Sequence, residues 1–188
     1  MELNNRINEY NTNINMLFPI LKDKNVPTKC KTIIYTTILR PILTYGSEAW
    51  SLTTKTESQI QAAEMRVLRM IRGVTRLDKM RNTQIREDLH VISILKFVEK
   101  NKLRWYGHVK RMNNNRYPNK YLNWTPHGKR PVGRPRMRWI QGIKSALVAR
   151  GTTLEEVEEY RQFEDRNWWR QLIEAGDWTG HNDLPGVW

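Results

Sequence analysis

Apolar positions recur at helical spacing along almost the whole chain, and no segment carries a strong strand signal. Residues 3–18 hold a modest stripe of Leu3, Ile7, Ile14, Leu17 and Phe18 on a polar background, which predicts a helix that Pro19 ends. Pro27-Thr28 opens a second helix to about Leu39, with Ile33, Ile34, Thr37 and Ile38, and Arg40-Pro41 is expected to kink or break it. Ile42, Leu43 and Tyr45 carry the apolar character on to Gly46. Thr54-Lys55-Thr56-Glu57 reads as a capping box. The helix behind it sets Ile60, Ala63, Val67 and Ile71 on one face, with Arg66 and Arg69 opposite and Gly73 at its C-terminal stop. These elements predict a small antiparallel bundle over residues 3–75, with Ile34, Ile38, Leu43, Ile60, Val67 and Ile71 inward.

Asn82 reads as the cap of a short helix to His90, followed by a longer one over about 93–112. At 100° per residue Val98, Trp105, Val109 and Met112 share one face of it, and Lys96, Lys100, Arg104 and Arg111 share the other. Residues 113–135 read as a linker rich in Asn, Pro, Gly and Tyr, and Pro135 as the start of a helix over about 136–149. Thr153-Leu154-Glu155-Glu156 is a second capping box. Asp165 caps a last helix with Trp168, Trp169, Leu172 and Ile173, and 176–188 is an irregular tail. The fold class is all-α: a helical domain over 1–112, a basic linker over 113–135, C-terminal helices over 136–176 and the tail.

Charge changes the picture. The chain has 32 Lys/Arg and 19 Asp/Glu, a net of +13. Residues 96–150 contain a single acid, Glu99, whereas 151–188 are acidic overall, so the excess of cations sits in the middle stretch. That stretch also holds Trp105, Tyr106, Tyr117, Tyr121, Trp124 and Trp139. Cations gain affinity for phosphates through counterion release, and interleaved aromatics can stack on unpaired bases. The densest part is Lys129-Arg130-Pro131-Val132-Gly133-Arg134-Pro135-Arg136-Met137-Arg138. Its prolines hold the backbone extended and Gly133 allows close approach, so the run resembles an AT-hook for the minor groove of A·T-rich DNA. The plainer alternative is a solvated basic linker. The partner expected is nucleic acid: duplex DNA or an RNA/DNA hybrid, with single-stranded RNA as a further candidate. The expected contacts are Lys96, Lys100, Arg104 and Arg111 on the helix, and Lys129, Arg130, Gly133, Arg134, Arg136 and Arg138 in the linker.

Catalytic chemistry is not legible. The one cysteine, Cys30, excludes an internal disulfide and argues against a cysteine zinc site. His90, His108, His127 and His181 lack metal-ligand spacing, and there is no Gly-rich phosphate loop. Gly46-Ser47 lacks the second glycine of a nucleophile elbow, and the acid pairs Glu87-Asp88 and Glu164-Asp165 fit helix starts or surfaces. No cofactor or metal is implied. No membrane span or signal peptide is visible, so a nuclear or cytoplasmic, non-secreted placement is expected. The acidic segment 155–165 has three readings: a solvent-exposed helix, a dock for a basic partner, or a fold-back onto 96–138.

Five strings then share one resemblance: 38–50 (Ile-Leu-Arg-Pro-Ile-Leu-Thr-Tyr-Gly-Ser-Glu-Ala-Trp), 61–69, 103–112 (Leu-Arg-Trp-Tyr-Gly-His-Val-Lys-Arg-Met), 128–136 followed by Trp139, and 165–170 (Asp-Arg-Asn-Trp-Trp-Arg). In this order they resemble the region downstream of the polymerase palm in non-LTR (LINE-type) retrotransposon reverse transcriptases, over about residues 3–175. The resemblance implies a helical thumb, which packs on the primer–template duplex, followed by a basic region that holds template RNA or target DNA. The aromatic-x-Asp-Asp tetrapeptide that carries that family's polymerase metals does not occur here, and one cysteine excludes its zinc knuckle. A nucleic-acid-holding piece that does not catalyse on its own is the function implied. The alternative is a non-enzymatic adaptor that binds a protein partner through the acidic, Trp-rich helices of 154–173.

Overall fold

The computed structural model describes residues 2–122, 124, 128, 133 and 137–175, and among them the regular structure is helical throughout. The chain divides into two compact units, Met1–Val98 and Glu99–Trp188.

In the first unit α1 runs Glu2–Lys22. It continues through Pro19, contrary to the expected stop. Leu3, Ile7, Tyr10, Ile14, Leu17 and Leu21 explain this: they follow a three–four spacing into one apolar core, with Tyr10, Ile14 and Leu21 fully buried. Packing of Leu21 holds the last turn despite the donor the proline lacks. Phe18, expected in that stripe, is exposed.

The second helical segment is also unbroken. It comprises α2 (Thr28–Ile34), a π-helical turn (Tyr35–Leu39) and α3 (Arg40–Thr44). The amide of Arg40 bonds to the carbonyl of Tyr35, five residues back. The wider turn relieves the clash that Pro41 would cause in a regular ladder. It also inserts one residue into the register. Tyr35, Leu39 and Leu43 therefore enter the core, and Ile38, expected inside, is exposed.

The capping box before α4 (Thr54–Arg72) lies one residue earlier than expected: Thr56 Oγ1 accepts from the Thr53 amide at 2.7 Å, and the Thr56 amide donates to Thr53 Oγ1. Ile60, Ala63, Val67 and Ile71 are buried as expected, and Gly73 ends the helix in the left-handed region at φ 77°. α5 spans Asn82–Asp88, and Asn82 does not cap it: its Oδ1 accepts instead from the Arg69 guanidinium at 2.6 Å.

Glu64, fully buried on α4, ties these elements together. Oε1 accepts from the Ile94 amide at 2.9 Å and from the Tyr35 hydroxyl, and Oε2 accepts from Arg86 at 2.5 and 3.1 Å. Burial pushes its pKa up, while the charge and hydrogen bonds of Arg86 pull it down.

α6 spans Ile94–Lys110, and the division between the units falls within it. In the second unit its inward side is Leu103 and Tyr106, not Trp105. They pack with Ile143, Ala146 and Leu147 of α8 (Trp139–Val148), Leu154 and Val157 of α9 (Leu154–Glu159), Phe163, and Trp169 and Ile173 of α10 (Arg166–Ala175). α8 starts at Trp139, and Gln141 Oε1 accepts from the amide of Arg138. The Thr153–Glu156 capping box forms as expected, and Asp165 Oδ1 accepts from the amides of Asn167 and Trp168. Within the expected linker lies a further short helix, α7 (Tyr117–Leu122). Most of the basic run, and the tail 176–188, lie outside the described residues.

Candidate nucleic-acid interface

The candidate interface comprises two helical stripes in the second unit. Arg104, His108 and Arg111 follow each other at i, i+4 and i+7 along and just past α6. Arg166, Trp169, Arg170 and Ile173 repeat at i, i+3, i+4 and i+7 on α10. Both stripes, with Met112, line one cleft of about 660 Å³. Its apolar surface comes from Met112, Trp169 and Ile173, its charge from four arginines, and His108 adds a polar ring. No carboxylate lines it among the described residues. A neighbouring hollow of about 610 Å³ shares Arg111, Met112 and Arg166 and adds Lys110, Arg161 and the carboxylate of Glu164.

Close packing beneath the cleft requires Gly107. A Cβ there would lie 2.3 Å from Nε1 of Trp169. The bare backbone lets the indole reach the Leu103 carbonyl, to which Nε1 donates at 3.1 Å.

Ion pairs determine which cations stay available. The acidic segment folds back within its own unit. Glu174 accepts from Lys100 at 2.5 Å and Arg104 at 2.9 Å. Glu158 takes Lys110 at 2.6 Å and the Tyr106 hydroxyl at 2.8 Å, and Glu155 takes Lys144 at 2.6 Å. Arg150 pairs with Glu99, and Arg161 with Glu164. Arg111 has only the Phe163 carbonyl, at 2.6 Å, and Arg166 and Arg170 have no acidic partner among the described residues. Burial and the nearby charge of Arg166 hold the Arg111 guanidinium below its ordinary pKa. An anion in the cleft would relieve that repulsion.

Of the expected contacts, Arg104 and Arg111 come together here. Lys100 does not: it is buried and bound to Glu174. Lys96 belongs to the first unit. Arg138 sits exposed at the start of α8, and Gly133 is exposed with φ 121°, a conformation that suits glycine. Lys129, Arg130, Arg134 and Arg136 lie outside the described residues. Sequence reasoning missed His108, Arg166 and Arg170. The i, i+4 spacing of Arg166 and Arg170 was the available signal, and it sat in a segment read as acidic.

No protein-family model and no solved structure matches the chain. A transposon-derived protein of Caenorhabditis elegans is 31% identical over 157 residues. The two are similar in sequence. The match takes in 80% of the chain and 56% of that protein, so the chain spans a little over half of the relative's length. Among the described residues no helix is long and apolar enough to cross a membrane, and no group of His, Cys, Asp or Glu could hold a metal.

Proposed function

We propose that this chain is a nucleic-acid-holding region of a transposon-encoded protein, the part downstream of the polymerase palm in a LINE-type reverse transcriptase. It grips phosphates and does not catalyse alone. The observation that carries the reading is the cleft in which Arg104, Arg111, Arg166 and Arg170 converge without a lining carboxylate. The acids of α9 and α10 pair with Lys100, Arg104, Lys110 and Lys144, and leave Arg111, Arg166 and Arg170 without an acidic partner among the described residues. The run from Lys129 to Arg138 extends the same positive potential along the chain. The kinship with a transposon-derived protein supports the origin, and the five ordered motifs support the position within the parent. The adaptor reading has less support, because Glu155, Glu158 and Glu174 are engaged internally and Trp169 is buried.

The test is fluorescence anisotropy with duplex and single-stranded probes at several salt concentrations. Arg166→Ala with Arg170→Ala should lower the slope of log affinity against log salt by roughly one unit per lost contact. Neutralising Lys129, Arg130, Arg134, Arg136 and Arg138 should lower it further. A slope untouched by both sets, or no binding at all, overturns the proposal.

A further inference from the structure

Helix α7 packs with the opposite polarity from its neighbours. Its anchors are Asn119 and Leu122. Asn119 is buried, and its Nδ2 donates to the Met112 carbonyl and to Asn114 Oδ1, both at 3.0 Å. Leu122 packs on the core of the second unit. The outward positions hold large rings: Tyr117 and Tyr121 on the helix and Trp124 just past its end are 73%, 64% and 55% exposed. They form a continuous row. Tyr117 and Tyr121 are stacked at a centroid distance of 6.4 Å and an interplanar angle of 24°, and Trp124 meets Tyr121 edge-on at 6.2 Å. Arg116 and Lys120 run beside this row at i, i+4, both exposed and with no acidic partner among the described residues.

Rings exposed to this degree lose the hydrophobic stabilisation that burial would give them. A row of ring faces flanked by cations fits one ligand chemistry: unpaired bases that stack on the rings while their phosphates meet the cations. Stacked bases in a duplex offer no faces to such a row. Resting on the proposed nucleic-acid function, we infer that Tyr117, Tyr121 and Trp124 form a stacking platform for a single-stranded segment of the bound nucleic acid. The platform assigns the partner a region of unpaired bases, and base identity matters little because every base presents a π face.

The experiment uses the full chain and three labelled probes: a deoxythymidine dodecamer, a uridine dodecamer and a blunt hairpin duplex whose loop is a linker without bases. Tyr121→Ala should weaken single-strand binding by roughly 5- to 150-fold and spare the hairpin. It should leave the salt slope unchanged, because no phosphate contact is lost. Tyr121→Phe should bind as the parent does. Arg116→Ala with Lys120→Ala should instead lower the single-strand slope by roughly 0.7 per cation. A loss on both dodecamers, or on one alone, supports the platform and names the strand it takes. Unchanged single-strand affinity in Tyr121→Ala and Trp124→Ala overturns it, as does equal weakening of the hairpin. A parent that binds the hairpin but neither dodecamer overturns this inference alone. A parent that binds no probe overturns the proposed function with it.

Discussion

Gly107 of α6 and Trp169 of α10 are in contact so close that no side chain fits between them: an added Cβ would come within 2.3 Å of the indole nitrogen. Gly107→Ala must displace Trp169, break its bond to the Leu103 carbonyl and deform the cleft beside it. Overpacking of this kind costs about 1–3 kcal/mol. Thermal denaturation should show a lower Tm with altered tryptophan fluorescence. An unchanged Tm would mean that the indole is not seated against this backbone.

Glu64 and Arg86 form the buried ionic contact of the first unit. Glu64→Leu leaves the guanidinium without its partner in an apolar setting, which costs about 3–5 kcal/mol. Adding Arg86→Met should recover much of the loss, since an apolar pair of similar volume is tolerated. Chemical denaturation of the two variants measures this. The idea fails if the double variant is no more stable than the single one.

Trp105 and Tyr106 are neighbours in sequence with opposite roles. Tyr106 is fully buried and bonded to Glu158, whereas Trp105 is 36% exposed. Tyr106→Ala should cost about 3–5 kcal/mol, and Trp105→Ala less than half of that. Equal losses in Tm would show that α6 is rotated from the arrangement described.

Glu174 gives a pH signature. The hydrogen bond from Lys100, then the charges of Lys100 and Arg104, hold its carboxyl below the usual range. A depressed native pKa stabilises the fold above the unfolded value of about 4.3, and that contribution fades as pH falls through the native value. Because Glu174 is half exposed, the effect is modest. Stability should therefore fall less steeply with acidification in Glu174→Gln than in the parent. Superimposable acid profiles would exclude this ion pair as a contributor.

Much of the fold was legible because helical spacing, caps and glycine stops are local. The Thr153–Glu156 box, the Asp165 cap and the face of Ile60, Val67 and Ile71 all rest on neighbours within a turn or two. The misplacements have one kind of cause. Tyr10 and Leu21 complete the α1 stripe, but a tyrosine looks polar and Pro19 looks terminal until the core they enter is known. Ile38 and Leu39 exchange places because a five-residue hydrogen bond shifts the register. On α6, helical spacing put Trp105 on a face with Val98 and Val109; those two are buried, but Trp105 lies at the edge of that face and Leu103 and Tyr106 meet the other helices of the second unit. The cleft needed tertiary information as well. Nothing in the spacing of Arg111 and Arg166 shows that they approach each other, or that Glu174 withdraws Lys100 from solvent.

The π-helical turn at Tyr35–Leu39 has a consequence for descent. One extra residue and one proline occupy the same helix, and each is tolerable because of the other. Removing a residue from the turn restores a regular ladder and drives the ring of Pro41 into a carbonyl of the preceding turn. Replacing the proline removes the reason for the wide turn. The two features should be inherited as a pair, so that in aligned relatives a one-residue gap over 35–39 coincides with the loss of proline at the position of Pro41.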